Sequence, residues 1–407
     1  MIMNMTGAGR ALHRRAFLHA AGAAGLVLAA PKLSLAQAAT ERRFVFIIQR
    51  GAADGLAILA PYADPDYARL RGALADEAAS GPHLDGSFAL HPALTETARL
   101  HATKEALFFH AVASPYRDRS HFDGQNVLET GGLSPYQLKD GWLNRLVAQL
   151  PRHRRDEAIA FAPTVPMALR GKVDVASYAP SALPQASDDL MLRVAQLYER
   201  DAQLHALWTS AMDTRGIAMD GADVRMKGAA AQRQDGAALG RLAGSFLVRA
   251  DGPRIAMIET GGWDTHSAQN ARLSAQLRNL DALIAALRET LGSAWQQTVV
   301  LVATEFGRTA AANGTGGTDH GTGALAMLMG GAVQGGRVLA DWPGLRTSDL
   351  HEARDLRPTM RLDAVIAAAA GESFGIEPQR LERSLFPTGA ASGVGSGSRG
   401  MPRLLRG

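Results

Sequence analysis

Six short apolar runs, each closed by a turn or charged stretch, constrain this chain more than any other feature. They are Phe44–Ile48, Ala106–Val112, Glu157–Ala162, Arg254–Ile258, Thr298–Ala303 and Ala324–Met329. Runs of this length without polar alternation are the form of strands covered on both faces. Each run ends at punctuating residues: Arg50-Gly51, Ser114-Pro115, Pro163, Gly261-Gly262, Glu305 and Gly330-Gly331. Between the strands the period changes to that of a helix. Leu273, Leu277, Leu280, Ile284, Leu287 and Leu291 lie on one stripe and Gly292 comes next as a stop. Leu190, Val194, Leu197, Leu204 and Leu207 repeat the pattern, with Ser187-Asp188-Asp189 as a start. Strands alternating with helices predict an α/β fold with a mainly parallel central sheet.

The first 38 residues read as an address. His13-Arg14-Arg15-Ala16-Phe17-Leu18 precedes an Ala/Gly-rich apolar stretch over 20–30, then Pro31, Lys32 and an Ala36-Gln37-Ala38 cleavage pattern. The paired arginines resemble a twin-arginine export signal, which predicts the twin-arginine translocase as a partner and a periplasmic or secreted protein exported already folded. The apolar stretch is too short to span ~30 Å of hydrocarbon comfortably, and no later segment does so, which predicts no stable membrane span. The leader also explains the charge. The chain carries 43 Lys+Arg against 39 Asp+Glu, but residues 1–38 hold four of the bases and no acid. The remainder balances, which removes electrostatic support for nucleic-acid binding. The expected body is 39–387, with 170–250 as a helical cap or insertion and 388–407, rich in Gly, Ser and Arg, as a flexible tail.

Polar chemistry gathers after the strands. Asp54 lies beyond the first. Arg117-Asp-Arg-Ser120-His121-Phe-Asp123 lies beyond the second. Gly261-Gly-Trp-Asp264-Thr-His266 lies beyond the fourth. Thr304-Glu305-Phe-Gly-Arg308-Thr309 lies beyond the fifth and runs through a glycine-rich loop into Asp319-His320-Gly321. Ligands bind outside the carboxyl ends of strands in open α/β sheets, so these clusters are expected to converge. With no cysteine in the chain, any metal must be held by oxygen and imidazole. Asp and His are such ligands for divalent ions, and two ions close together can clamp an ester displacement. Asp54, Asp264, His266, Asp319, His320 and Glu305 are the candidate ligands, and Zn, Mn or Ca, as one or two ions, the candidate cofactor.

Each has a plainer reading. Asp54-Gly55 is a turn dipeptide. Glu305 and Arg308 could pair with each other, or Arg308 could hold an anionic oxygen while Glu305 takes a metal or orients a histidine. Ser120 is a nucleophile if a metal favours its alkoxide, and a helix cap otherwise. His121 is the better candidate, as ligand or acid/base group. The remaining histidines are left as surface or core residues.

Taken together, the leader, Arg50-Gly-Ala-Ala-Asp-Gly-Leu56, Ser114-Pro-Tyr-Arg117, Ser120-His-Phe-Asp123, Gly261–His266, Thr304–Thr309, Asp319-His-Gly321 and Arg354-Asp-Leu-Arg-Pro-Thr359 resemble the exported bacterial family known as domain of unknown function 1501. That family is placed with the alkaline phosphatases and sulfatases. The resemblance covers about Phe44 to Leu385. It implies an alkaline-phosphatase-like three-layer sandwich, one or two divalent ions at the strand ends, and chemistry at phosphate or sulfate esters. Asp54, Asp264, His266, Asp319 and His320 match its acidic and imidazole ligand segments. The sulfatase nucleophile signature is missing, and the third imidazole that phosphatases supply near the C-terminus has no clear match; His121 could substitute. The expected function is therefore metal-dependent hydrolysis of an anionic small-molecule or glycan ester, with Ser120, His121 and Arg308 as catalytic groups. The alternative is a catalytically silent envelope protein that binds an anionic glycan or a partner protein.

Overall fold

The computed structural model describes residues 41–150, 157–179, 188–199, 201–206, 208–209, 212, 235–388 and 400–406. The expected leader, most of the expected tail and much of the expected cap lie outside these residues.

All six apolar runs form strands of one sheet. They are β1 (Arg43–Gln49), β2 (Ala106–Ala113), β3 (Ala158–Phe161), β5 (Ile255–Thr260), β6 (Thr298–Thr304) and β7 (Ala324–Met329). Three short strands complete it: β4 (Ala176–Ser177), β8 (Arg337–Leu339) and β9 (Met360–Arg361). The order is β8-β2-β7-β6-β1-β5-β3-β4, with β9 also on β2. Every pairing is parallel except those of β7, which runs against both β2 and β6. This is the mostly parallel α/β sheet expected. The reversal of β7 comes from its connection: the chain leaves the top of β6, crosses the rim in one loop and descends as the next strand.

The alternation of β1 divides the core. Val45 and Ile47 face one apolar layer with Val300, Val302, Ala256 and Ile258. Phe44, Phe46 and Ile48 face the other with Val299, Leu301, Ala303 and Met257. Helices cover both faces, which makes three layers. In chain order the helices that matter are α1 (Gly55–Ile58), α2 (His121–Thr130), α3 (Trp142–Gln149), α4 (Gly236–Leu247), α5 (Gln269–Leu291) and α6 (Leu362–Phe374). The leucine stripe of α5 and the small-residue face of α4 pack together. A Cβ at Gly240 would sit 2.3 Å from the Leu283 carbonyl oxygen, so the close approach of these two helices depends on glycine there. α6 has almost no polar face and is buried along nearly its whole length, as a helix apolar all round must be.

Within 170–250, α4 belongs to the layer covering the sheet and β4 extends the sheet edge. A helix does span Asp188–Tyr198, but its Leu197 is exposed rather than on a buried stripe. At the other end, 400–406 is not loose. Leu404 and Leu405 are buried, their N–H groups donate to Glu372, and Arg406 N donates to the Ala332 carbonyl. Among the described residues no helix is long and apolar enough to cross a membrane.

Candidate metal centre

The carboxyl ends of β1, β2, β5 and β6 deliver four segments to one rim, and the loop from β6 to β7 closes over it. Three histidines and one aspartate meet there. His121 begins α2. Asp264 and His266 come after β5. His320 stands on the β6–β7 loop shortly before β7.

Asp264 is the hub. Its Oδ1 accepts from Arg308 Nη2 at 2.5 Å and lies 3.0 Å from His266 Nε2 and 3.3 Å from His320 Nε2. Its Oδ2 lies 3.5 Å from His121 Nε2. The two Nε2 atoms of His266 and His320 are 3.0 Å apart. One donor atom each from His121, Asp264 and His320 falls within 4.8 Å of the others.

Behind each ring stands an acceptor. His121 Nδ1 is 2.8 Å from Glu305 Oε1, His266 Nδ1 is 3.2 Å from Asp319 Oδ1, and His320 Nδ1 is 2.9 Å from the Arg119 carbonyl oxygen. A carboxylate or carbonyl oxygen can only accept, so a neutral His121 or His320 that donates to its outer acceptor carries its proton on Nδ1 and turns its Nε2 lone pair inward, while His266 has a carboxylate oxygen at each ring nitrogen. This is how metal-binding histidines are held: the outer ring N–H is anchored and the inner nitrogen is left to the ion. Nε2 of His121 is buried and has no hydrogen-bond partner among the described residues. Nitrogen lone pairs facing one another and a carboxylate repel unless a proton or cation lies between them.

The charge balance points the same way. Glu305, Asp264 and Asp319 touch the imidazoles, while among the described residues Arg308 is the one guanidinium bonded to any of those three acids. Two negative charges are left over, matching a divalent cation. Without one, His121 takes up the burden: its hydrogen bond to Glu305 raises its pKa, although burial opposes this. Burial by itself would raise Glu305, but His121, Gln125 and the Gly51 amide hold its pKa below the usual value. Burial, His121 and Arg308 lower His320, against Arg119 and Asp264. Burial would likewise raise Asp264, but Arg308 outweighs it and keeps that carboxyl below its ordinary range.

Local sequence explains the positions. Gly51 has φ +119°, and a Cβ there would lie 2.7 Å from Asp264 N, so only glycine lets the β1 turn reach the β5 loop. Its N–H donates to Glu305 Oε1 at 2.8 Å. Phe306 stacks on the His121 ring, centroids 5.2 Å apart and planes 20° apart, and fixes the ring plane from the apolar side. Gln125, one turn after His121 on α2, donates to Glu305 and accepts from Arg50.

The candidate residues therefore separate. His121, Asp264, His266 and His320 come together. Glu305 and Asp319 stand one step back and hold rings. Asp54 is corrected: it is 1% exposed, pairs with Arg71, accepts from Gln269 Nε2 at 2.6 Å and caps α1 through Leu56 N. Its oxygens are held by these partners. Arg308 is also corrected. It is buried and its guanidinium donates to the carbonyls of Gly51, Ala52, Trp263 and Thr318 as well as to Asp264. It ties the loops together and aims Asp264 rather than waiting for an anion. Ser120 holds the N-cap position of α2, but its side chain makes no capping bond. Phe306, Gln125 and the Arg119 carbonyl were not singled out from sequence. A backbone acceptor carries no side-chain signal, although Gln125 sits one turn from His121 and was in principle legible.

The description "Protein of unknown function (DUF1501)" matches residues 41–385. The chain belongs to the DUF1501 family. Comparison with curated proteins gives no match. Among solved structures, this DUF1501 chain is similar to Ps i-CgsB in complex with k-i-k-neocarrahexaose, at 11% identity over 86% of this chain and 76% of that one, TM-score 0.39. It is similar to the C-terminal periplasmic domain of EcEptC from Escherichia coli in complex with Zn, at 8% identity over 72% and 76%, TM-score 0.33. It is also similar to a TAB5 alkaline phosphatase mutant with Mg bound, at 13% identity over 74% and 91%, TM-score 0.32.

Proposed function

We propose that this DUF1501 protein is an exported, metal-dependent hydrolase of phosphate or sulfate esters. The observation that carries the reading is the orientation of three imidazoles: each anchors its Nδ1 outward and turns Nε2 toward Asp264. Asp264 lies 3.0–3.5 Å from the three Nε2 atoms, and those of His266 and His320 are 3.0 Å apart, close to the roughly 3.3 Å between neighbouring ligands on a tetrahedral ion bound at ~2.0–2.1 Å; His121, Asp264 and His320 are the three whose donor atoms all lie within 4.8 Å of one another. A nitrogen-rich set suits a zinc-type ion and disfavours calcium, which prefers oxygen. One ion is proposed, because Asp54 is committed elsewhere and Asp319 is turned to His266.

His121, His266, His320 and Asp264 would hold the ion. When bound, it would supply Lewis-acid polarisation of an ester oxygen and a lowered pKa for an attacking oxygen. Glu305 and the Arg119 carbonyl keep His121 and His320 in the tautomer that offers Nε2. Arg308 keeps Asp264 ionised and pointed at the rings. Ser120 precedes His121 at the start of α2 and its hydroxyl caps nothing, which makes it the candidate nucleophile. Export through the twin-arginine translocase rests on the leader, and suits a protein that acquires its metal before crossing the membrane.

The test is turnover of aryl phosphates and aryl sulfates by metal-loaded and chelated protein, with Asp264→Ala and His320→Ala as controls. Metal-dependent turnover lost in both variants supports the reading, and its further loss in Ser120→Ala assigns the nucleophile. Full activity in Ser120→Ala assigns attack to water. Tight binding of an anionic glycan that survives chelation and Asp264→Ala, with no turnover, would replace the hydrolase by the silent envelope binder.

A further inference from the structure

The motif Arg354-Asp-Leu-Arg-Pro-Thr359 has no part in the centre as described, yet it reaches the centre through one bond. Asp355 is fully buried. Its Oδ2 accepts from Arg119 Nε at 2.9 Å and Arg119 Nη2 at 2.7 Å, and from Thr322 Oγ1 at 3.3 Å. Arg119 and Thr322 bracket His320: the first supplies the carbonyl that accepts from its Nδ1, the second lies two residues beyond it in the chain. Arg119 has φ +61°, in the left-handed region that a residue with a long side chain adopts only when held there. That conformation turns its carbonyl toward His320. Asp355 is itself fixed by the backbone, through paired hydrogen bonds with His351 at 2.8 and 3.0 Å. From the same motif, Arg354 Nη2 donates to the His320 carbonyl at 2.7 Å.

We propose that Asp355 is the positioning residue for His320. It grips the Arg119 side chain so that the Arg119 backbone carbonyl locks the His320 ring with its proton on Nδ1 and Nε2 free. This rests on the reading of the four residues as a metal centre. It gives the C-terminal motif a role: it closes the third ring of the ligand set from a segment far along the chain. The pattern mirrors the one behind His121, where a buried carboxylate does the same task directly. Here the acid acts at one remove, because the outer nitrogen of His320 meets a peptide carbonyl instead of a side chain.

The experiment uses full-length protein labelled with ¹⁵N-histidine, in wild type, Arg119→Gln, Arg119→Lys and Asp355→Ala forms. Two quantities are read: the ring ¹⁵N signature of His320 in metal-free protein, and zinc affinity by chelator competition. Wild type is expected to show the Nδ1-protonated ring. Arg119→Gln and Asp355→Ala are expected to lose that signature and to bind zinc roughly 10–100-fold more weakly, with Arg119→Lys recovering most of both. Because Asp355 is buried and its loss can unfold the protein, Arg119→Gln, whose side chain is partly exposed, carries the test if Asp355→Ala does not fold. Unchanged ring signature and unchanged affinity in folded Arg119→Gln would overturn the proposal. If wild type binds no zinc, the metal reading fails, and the ring signature alone decides whether Asp355 sets the His320 tautomer.

Discussion

Two aspartate–arginine pairs sit just beyond neighbouring strands, and they do opposite things. Asp54, after β1, meets Arg71 with both side chains fully enclosed; Gln269 and the Leu56 N–H take up its remaining oxygen capacity. Asp264, after β5, meets the buried Arg308, but its own side chain is 43% exposed and three imidazole nitrogens face it. The first pair is a sealed brace between the β1 turn and the helix carrying Arg71. The second is held by its arginine on one side and left open on the other. On the proposed reading, an acid near a strand end serves as a ligand only when its partner occupies one edge and leaves the rest for a cation.

The contrast breaks most visibly in stability. Asp54→Ala leaves Arg71 charged and enclosed, a loss of about 3–5 kcal/mol, measurable by urea denaturation. Asp264→Ala should cost less, since Arg308 retains four backbone carbonyls. Its zinc affinity should instead fall by more than the roughly 100-fold at the upper end for losing a ligand-orienting residue.

The same contrast separates two histidines on one stretch of chain. His110, in β2, is fully buried between the Leu59 carbonyl and the rings of Phe88 and Trp342, with no carboxylate bonded to it among the described residues. Burial pushes its pKa down to about 4. The unfolded chain takes up this proton near pH 6.5 and the folded one does not. The neutral ring's contribution is thus complete above pH 6.5 and is lost as pH falls from 6.5 toward 4, by about 3 kcal/mol in total. Unfolding free energies between pH 7 and 4.5 should show this slope, and His110→Gln should flatten it. His121 is shifted the other way because Glu305 stands behind it.

Glu305→Gln sharpens that point. It keeps an acceptor but loses the charge, so zinc affinity should drop about 10–100-fold, and the His121 pKa should move back down in an NMR titration. An unchanged His121 would mean that the carboxylate does not set its protonation. The smallest effect belongs to Glu352, which pairs with Arg119 from the exposed side at 2.5 Å. Glu352→Ala should leave stability nearly unchanged, as for an exposed ion pair, and zinc affinity within twofold, since Asp355 keeps its hold on Arg119.

The long strands were legible because burial on both faces writes a continuous apolar run: Phe44–Ile48 and Thr298–Ala303 could be little else. Ala176–Ser177 and Met360–Arg361 were not, being too short to carry a period. Nor was the reversal of β7, whose run Ala324–Met329 reads the same in either direction. In the centre, Asp264, His266, His320 and His121 were legible as residue types after strands. The roles of Asp54 and Arg308 were not, because Arg71 and the four carbonyls that decide them come from remote segments. Asp355 lay in a motif noted for its resemblance alone, since its link to His320 passes through a peptide carbonyl.

The central claim is tested most directly by counting zinc bound to the metal-free protein at neutral pH. The account predicts one tightly held equivalent per chain in the wild type and in folded Asp54→Asn, and none in Asp264→Ala or His320→Ala. No stoichiometric zinc in the wild type, or an equivalent that survives loss of both Asp264 and His320, would contradict it.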